Sequence, residues 1–187
     1  MTFEKKDIPG AYIITSFQVN DERGFFLKNF EQNIFLEHGI EFQSTESFIS
    51  CSAKNVIRGM HFQLNEPQAK LVGVYRGAIY DVLVDLRRDS PTFGQWRGEY
   101  LSAENRKSFY IPRGCAHGFL SMEDETIVGY QCDGVYDKET DTGILWNDKD
   151  ISIHWPIEDI SMVIIGKRDQ EQMSFEKFKK NCAFSYL

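Results

Sequence analysis

The sequence predicts a mostly β fold, a β-sandwich or jelly-roll barrel with a few short helices. Three observations predict it. Apolar and β-branched residues come in short runs, and no long stripe of helical period stands out. Turn residues divide the runs at intervals of roughly ten residues, the spacing of an all-β sandwich or barrel. The composition is globular and rich in rings, with 42% hydrophobic and 14% aromatic residues.

In chain order, Gly10 to Thr15 reads as a strand, Asn20 to Gly24 as a turn, and Phe25 to Phe30 as the returning strand. Asn33 to His38 fits a short helix that Gly39 stops. Phe48 to Cys51, Leu71 to Tyr75 and Ala78 to Leu86 are β-rich, the last two joined by Arg76-Gly77. Gln95 to Leu101, Ser108 to Ile111, Gly118 to Met122 and Thr126 to Cys132 continue the series, and only about Asp169 to Asn181 looks helical again. With 187 residues, no repeat and no linker, residues 1–187 read as one domain with a substantial core.

Charge and composition exclude several classes. A formal net charge of −7 argues against a general nucleic-acid or membrane-surface binder, so an anionic ligand must be met by locally clustered Arg and Lys. No window approaches the roughly 18 apolar residues of a membrane span, and the charged start Met1 to Asp7 lacks the apolar centre of a signal peptide, which predicts a cytoplasmic protein. Cys51, Cys115, Cys132 and Cys182 show neither CxxC nor CxxxC spacing, so they read as small buried hydrophobes. His38, His61, His117 and His154 form no HxH pair, and the sequence predicts no metal.

Two segments carry candidate chemistry. Val56 to Gln63 sets Arg58 and His61 among apolar residues, and Pro112 to Phe119 sets His117 near Arg113. Imidazole titrates near neutrality, so a half-buried histidine beside a fixed cation suits proton transfer next to an anionic substrate. Strand alternation puts Asp81 on one face with Ile79, Leu83 and Asp85, where an acid needs a cationic or histidine partner. The same alternation puts Tyr130 on the Val128 face.

Six segments in order resemble the dTDP-4-dehydrorhamnose 3,5-epimerase family: Asp21 to Phe26, Arg58 to Gln63, Lys70 to Val72, Asp85 to Gly94, Pro112 to Phe119 and Gly143 to Asp148. The resemblance implies a cupin-type jelly roll and a reaction on a nucleotide diphosphate linked to a 4-keto-6-deoxy sugar. A ketone at C4 acidifies the C3 and C5 protons, so inversion needs a base on one face, an acid on the other and positive charge at the enolate oxygen. By resemblance, His61 is the base supported by Asp169, Tyr130 is the acid, and Lys70 and His117 sit near the C4 oxygen with Asp81 pairing His117. Arg23, Phe26, Arg58, Gln63, Tyr136 and Arg168 are implied in substrate binding. Trp146 is open to a ligand or a packing role. No cofactor is implied, and a homodimer with a crossing N-terminal strand is.

The chain also departs from the family pattern. Lys28 stands where the family carries glutamate, and Glu46-Ser47-Phe48 stands where a strand offers Gln-x-Asn to the base. These changes alter the donors and acceptors shown to a pyrimidine edge, which raises a CDP- or GDP-linked sugar as the rival to dTDP. Further rivals are inversion at C3 or C5 alone, a non-catalytic sugar-nucleotide binder and a metal-dependent cupin.

Overall fold

The structure, a computed structural model, describes residues 1–181 and 184. Cys182 lies outside them. The chain opens with β1 (Thr2–Lys5), β2 (Tyr12–Thr15), the hairpin of β3 (Phe17–Asp21) and β4 (Gly24–Lys28), and α1 (Gln32–Glu37). Strands β5 (Glu46–Ser52), β6 (Val56–Gln63), β7 (Lys70–Arg76), β8 (Ala78–Asp85) and β9 (Trp96–Ser102) follow. Then come β10 (Lys107–Ile111), β11 (Cys115–Ser121), β12 (Thr126–Cys132) and β13 (Asp141–Gly143). The described elements end with β14 (Ile164–Ile165), α2 (Lys167–Gln170) and α3 (Phe175–Asn181).

Two sheets face each other. One runs β1-β2-β10-β7-β12-β5, and the other β13-β6-β11-β8-β9 with β14 added beside β6. Apart from the parallel β14–β6 pair, the pairings between these strands are antiparallel. This is the predicted jelly-roll sandwich. Ile13, Val72, Val74, Ile79, Leu83, Leu101, Phe109, Phe119 and Val128 interdigitate between the sheets. The outer face of the second sheet, including Ile57, Val82, Val84 and Leu120, is covered by Ile144, Trp155, Phe175 and Phe178. Strand β8 is therefore apolar on both faces, and Asp81 is an acid among inward-pointing apolar side chains.

Two expectations change, and the Arg76-Gly77 link gains its geometry. Arg76-Gly77 is a corner between sheets, because β7 pairs with β10 and β12 while β8 pairs with β9 and β11. Gly77 makes the corner at φ +75°, where an added Cβ would collide with Thr126. The helical reading of Asp169 to Asn181 divides into α2 and α3: Met173 bridges to Ile144 and its carbonyl accepts the Leu145 N–H at 2.9 Å. The Asp148 carboxylate then accepts the Phe175 N–H at 2.9 Å where α3 begins. Finally, Cys115 and Cys132 are buried but Cys51 is exposed, because it shares the outward face of the edge strand β5 with Ser47 and Ile49.

Candidate active site

Strand β6 is the spine of the site. It presents Arg58, His61 and Gln63, pairing His61 with His117 on β11 and with Gly143 on β13. The β6–β11 ladder is irregular at this point, between His117 and Phe119. Gly59, at φ +139°, makes the close approach possible, since a Cβ there would lie 2.5 Å from the Gly118 Cα.

Helix α2 delivers Asp169 behind His61. Its Oδ1 lies 2.7 Å from His61 Nε2, and its Oδ2 accepts the Gly59 N–H at 3.1 Å. Burial works against ionisation of Asp169, but the hydrogen bonds from His61 and Gly59 and the nearby Arg168 charge hold the carboxyl below the usual range. An ionised carboxylate only accepts, so Nε2 carries its proton and Nδ1 is the nitrogen left with a lone pair. Sequence reasoning named this dyad, and the fold assembles it from residues 108 positions apart.

A second pair lies deeper. Asp81 on β8 and His117 on β11 meet at 2.7 Å, with the other Asp81 oxygen buried without a hydrogen-bond partner. Burial raises the Asp81 pKa against the opposing pull of His117 and Lys70. Burial also lowers the Lys70 pKa, countered by Cys132, Asp141 and Asp81. Tyr130 on β12 is 8% exposed and meets the His117 ring edge-on, centroids 5.8 Å apart. Burial holds its phenol well above the ordinary range, with Asp81 adding to the rise and Ser50 and Arg58 opposing it.

A cleft of about 360 Å³ opens over this group. His61, Lys70, Glu46, Gln63, Tyr136 and Arg168 line it, as the sequence implied; Tyr130, His117 and Asp81 do not, being packed between the sheets beneath. Phe48, named above among the nucleotide-reading positions, lines it as well, and so do Phe62, Gln68 and Asp141, which were absent from the candidates. Gln68 precedes β7 in an irregular segment and Asp141 sits on the three-residue strand β13, so neither has a strand pattern to betray it.

Polar contacts close the rim. Arg168 pairs with Asp141 at 2.7 Å, and Asp141 also accepts from the Tyr136 hydroxyl, raising that phenol's pKa. The Tyr136 N–H donates to Glu46 at 2.9 Å. Gln63 spends its amide on the same loop, accepting the Asp137 N–H at 2.8 Å and donating to the Val135 carbonyl at 3.3 Å. Gln63 therefore shapes the wall with its polar atoms already engaged.

Four predicted binding residues are not brought to the cleft of this chain. Arg58 is turned toward β5, its Nε donating to Ser52 Oγ at 3.1 Å. Arg23 is exposed and paired with Asp21, Phe26 is 61% exposed, and Lys28 pairs with Glu31 at 2.7 Å. The last three ride on the β3–β4 hairpin, which forms a sheet of its own apart from the sandwich. Trp146 packs against the outer core and its carbonyl accepts the Trp155 indole N–H, a packing role.

The comparisons with known proteins agree. The model of the dTDP-4-dehydrorhamnose 3,5-epimerase family matches residues 5–177. A dTDP-4-dehydrorhamnose 3,5-epimerase from Methanothermobacter thermautotrophicus is 48% identical over 90% of this chain and 91% of its own length. The crystal structure of a dTDP-6-deoxy-D-glucose-3,5-epimerase from Legionella pneumophila, in complex with dTDP-4-keto-L-rhamnose, superposes with a TM-score of 0.94 at 34% identity, covering 100% of this chain and 98% of that one. A 3'-monoepimerase from Streptomyces bikiniensis in complex with dTDP-quinovose gives a TM-score of 0.86 at 28% identity, covering 94% of this chain and 88% of that one. With His61 and Asp169 joined at the wall of a cleft on a cupin-type jelly roll, and with matches of this extent, the chain belongs to the dTDP-4-dehydrorhamnose 3,5-epimerase family of sugar-nucleotide isomerases.

Proposed function

We propose that the chain epimerises a dTDP-linked 4-keto-6-deoxyhexose at C3 and C5, with His61 as base, Tyr130 as acid and no cofactor. The observation that carries the reading is the linkage of the two reacting groups. His117 is the cross-strand neighbour of His61 and the edge-on neighbour of Tyr130, so one buried residue ties base and acid to a common frame. His61 Nδ1 takes the proton from carbon, and the electron pair moves onto the C4 oxygen as an enolate. Lys70 and His117, backed by Asp81, supply positive charge and hydrogen bonding at that oxygen. Tyr130 gives its hydroxyl proton to the opposite face of the carbon, which inverts it. Arg168 is the cation of this cleft for the diphosphate, exchanging Asp141 for phosphate.

Glu46 supports dTDP over CDP. One of its oxygens accepts the Tyr136 N–H, and a carboxylate can only accept. Thymine presents a donor at N3, which such a group can bind, whereas cytosine presents a lone pair at N3. Lys28, the other departure, is paired with Glu31 and does not line this cleft.

The reading includes a homodimer. The hairpin bearing Arg23 and Phe26 exposes Phe17, Val19, Phe25 and Phe26, a run of apolar surface that suits burial against a second copy. Sedimentation equilibrium showing a monomer at micromolar concentration would remove that part.

Deuterium wash-in from D2O tests the chemistry. Label at both C3 and C5 of dTDP-4-keto-6-deoxyglucose is expected; label at one carbon would instead favour single-centre inversion, as in the 3'-monoepimerase relative. His61→Asn should abolish exchange with dTDP binding retained. Tyr130→Phe should stop inversion while His61 still exchanges its proton with solvent. Loss of neither activity would sink the assignment.

A further inference from the structure

Strand β5 lies at the edge of its sheet, yet one of its faces is turned to the groups assigned above. Phe48 is the direct cross-strand partner of Tyr130, and the two rings stack at 4.6 Å with 17° between their planes. Ser50 follows on the same face, with its Oγ buried and lacking any well-formed hydrogen bond. Ser52 comes next and holds the Arg58 guanidinium at 3.1 Å. Phe48 itself is 45% exposed at the cleft, so burial in the core does not account for a ring at this position.

A buried hydroxyl that meets the Tyr130 phenol without a well-formed hydrogen bond calls for an explanation, because an imperfectly satisfied buried hydroxyl costs stability. We propose that Phe48 and Ser50 are positioning residues for Tyr130: Phe48 fixes the plane of its ring, and Ser50 holds the phenol oxygen as that oxygen loses its proton. This rests on the reading of Tyr130 as the acid.

The proton balance makes the need concrete. When Tyr130 passes its hydroxyl proton to the substrate carbon, the O–H bond breaks and a phenolate is left between the sheets. The Ser50 hydroxyl donates to that oxygen, and the Arg58 charge, held by Ser52, lies near it. Both act on the resting phenol already, opposing the rise that burial imposes. The cycle closes when His61 releases its proton to water and Tyr130 takes one back, leaving no net change in protons. The stacked Phe48 ring meanwhile restricts rotation of the Tyr130 ring about its side-chain bonds, and a displacement of about 1 Å in a reacting group can cost ~100-fold in rate.

The test measures two rates on one substrate, dTDP-4-keto-6-deoxyglucose: inversion, by NMR of the product epimer, and deuterium exchange on the His61 side. In Phe48→Leu and Ser50→Ala, inversion should fall about tenfold or more with exchange and dTDP affinity within about twofold. Phe48→Tyr and Ser50→Thr, which keep the ring and the hydroxyl, should recover it. In a Tyr130→Phe background, Ser50→Ala should change nothing further, as coupled residues require. Unchanged inversion in both variants, with Tyr130→Phe still blocking it, overturns the positioning role and leaves the acid intact. Inversion and exchange falling together, or dTDP affinity falling, overturns it in favour of a structural or nucleotide-binding role. Inversion persisting in Tyr130→Phe overturns the acid assignment itself.

Discussion

Replacing Asp169 by Asn separates what the carboxylate does for stability from what it does for the base. Its two oxygens have different tasks, one accepting from His61 Nε2 at 2.7 Å and the other from the Gly59 N–H at 3.1 Å. Asn keeps one acceptor and turns the other into a donor. If the Asn oxygen stays on the buried Gly59 N–H, its NH2 group faces His61 and donates to Nε2. The imidazole then carries its proton on Nδ1, the nitrogen meant to accept one. A positioned base is worth about 10²–10⁴ in rate, so deuterium wash-in should fall by that factor while the fold loses little. Asp169→Ala should lose both, because it also strands the Gly59 N–H at a cost of about 1–3 kcal/mol. Wash-in kinetics with a urea unfolding curve for each variant provide the check. An Asp169→Asn variant that keeps wash-in within about threefold of the parent would refute the tautomer argument, given the 10²–10⁴ at stake. The sign of the pH effect follows from the lowered Asp169 pKa. The dyad's contribution is present above the ordinary carboxylate range and is lost as pH falls through the depressed folded value.

Asp85 is fully buried and accepts from Arg87, Ser90 and Thr92, and these bonds outweigh burial to lower its pKa. Arg87→Met should therefore destabilise by about 3–5 kcal/mol at neutral pH, less under acid where Asp85 protonates; urea titration at two pH values reads this directly. Gly118→Ala would set a Cβ 2.7 Å from the Arg58 carbonyl and 2.9 Å from the Gly59 Cα, where backbone cannot yield cheaply. A loss of at least about 1–3 kcal/mol is expected in thermal unfolding, with reduced wash-in because His61 and His117 ride on the same two strands. Lys70→Met should slow wash-in about 10²–10³-fold, the scale of one lost oxyanion donor. Because burial lowers the Lys70 pKa, the parent should also lose activity on the alkaline side earlier than an ordinary lysine allows, and a pH profile lacking that limb in the variant checks the link.

The central strands were legible because they are doubly constrained. Asp81 among Ile79 and Leu83 announced a buried acid that needed a partner, and His117 supplies it. Tyr130 on the Val128 face lies in the inter-sheet core, where alternation placed it. The connection of β7 to β8 was not legible, since a Gly at φ +75° serves a sheet-to-sheet corner as well as a hairpin. Nor was the break in the C-terminal helix, which depends on Met173 meeting Ile144 about thirty positions away. The rim of the cleft was the least readable part: the loop carrying Tyr136 is held by Gln63 and Glu46, long-range contacts with no local periodicity. The motif-derived residues Arg23 and Phe26 ride on the β3–β4 hairpin apart from the cleft, since a motif names residue types but not where the fold carries them.

The departures from the family pattern fall where the fold can accept them. His61, Lys70, Asp81, His117 and Tyr130 stand on β6, β7, β8, β11 and β12, each paired on both sides, so a change there disturbs two ladders at once. Glu46 and Phe48 stand on β5, which has one paired edge, and Lys28 stands on a hairpin outside the sandwich. Divergence at these three positions is therefore a poor measure of divergence in chemistry. Lys28 is neutralised by Glu31, Glu46 keeps an acceptor suited to thymine N3–H, and Phe48 stacks on Tyr130. With an acceptor retained at Glu46, dTDP should still bind more tightly than CDP. A calorimetric titration in which CDP matches dTDP would show that the edge strand had rewritten the nucleotide preference after all.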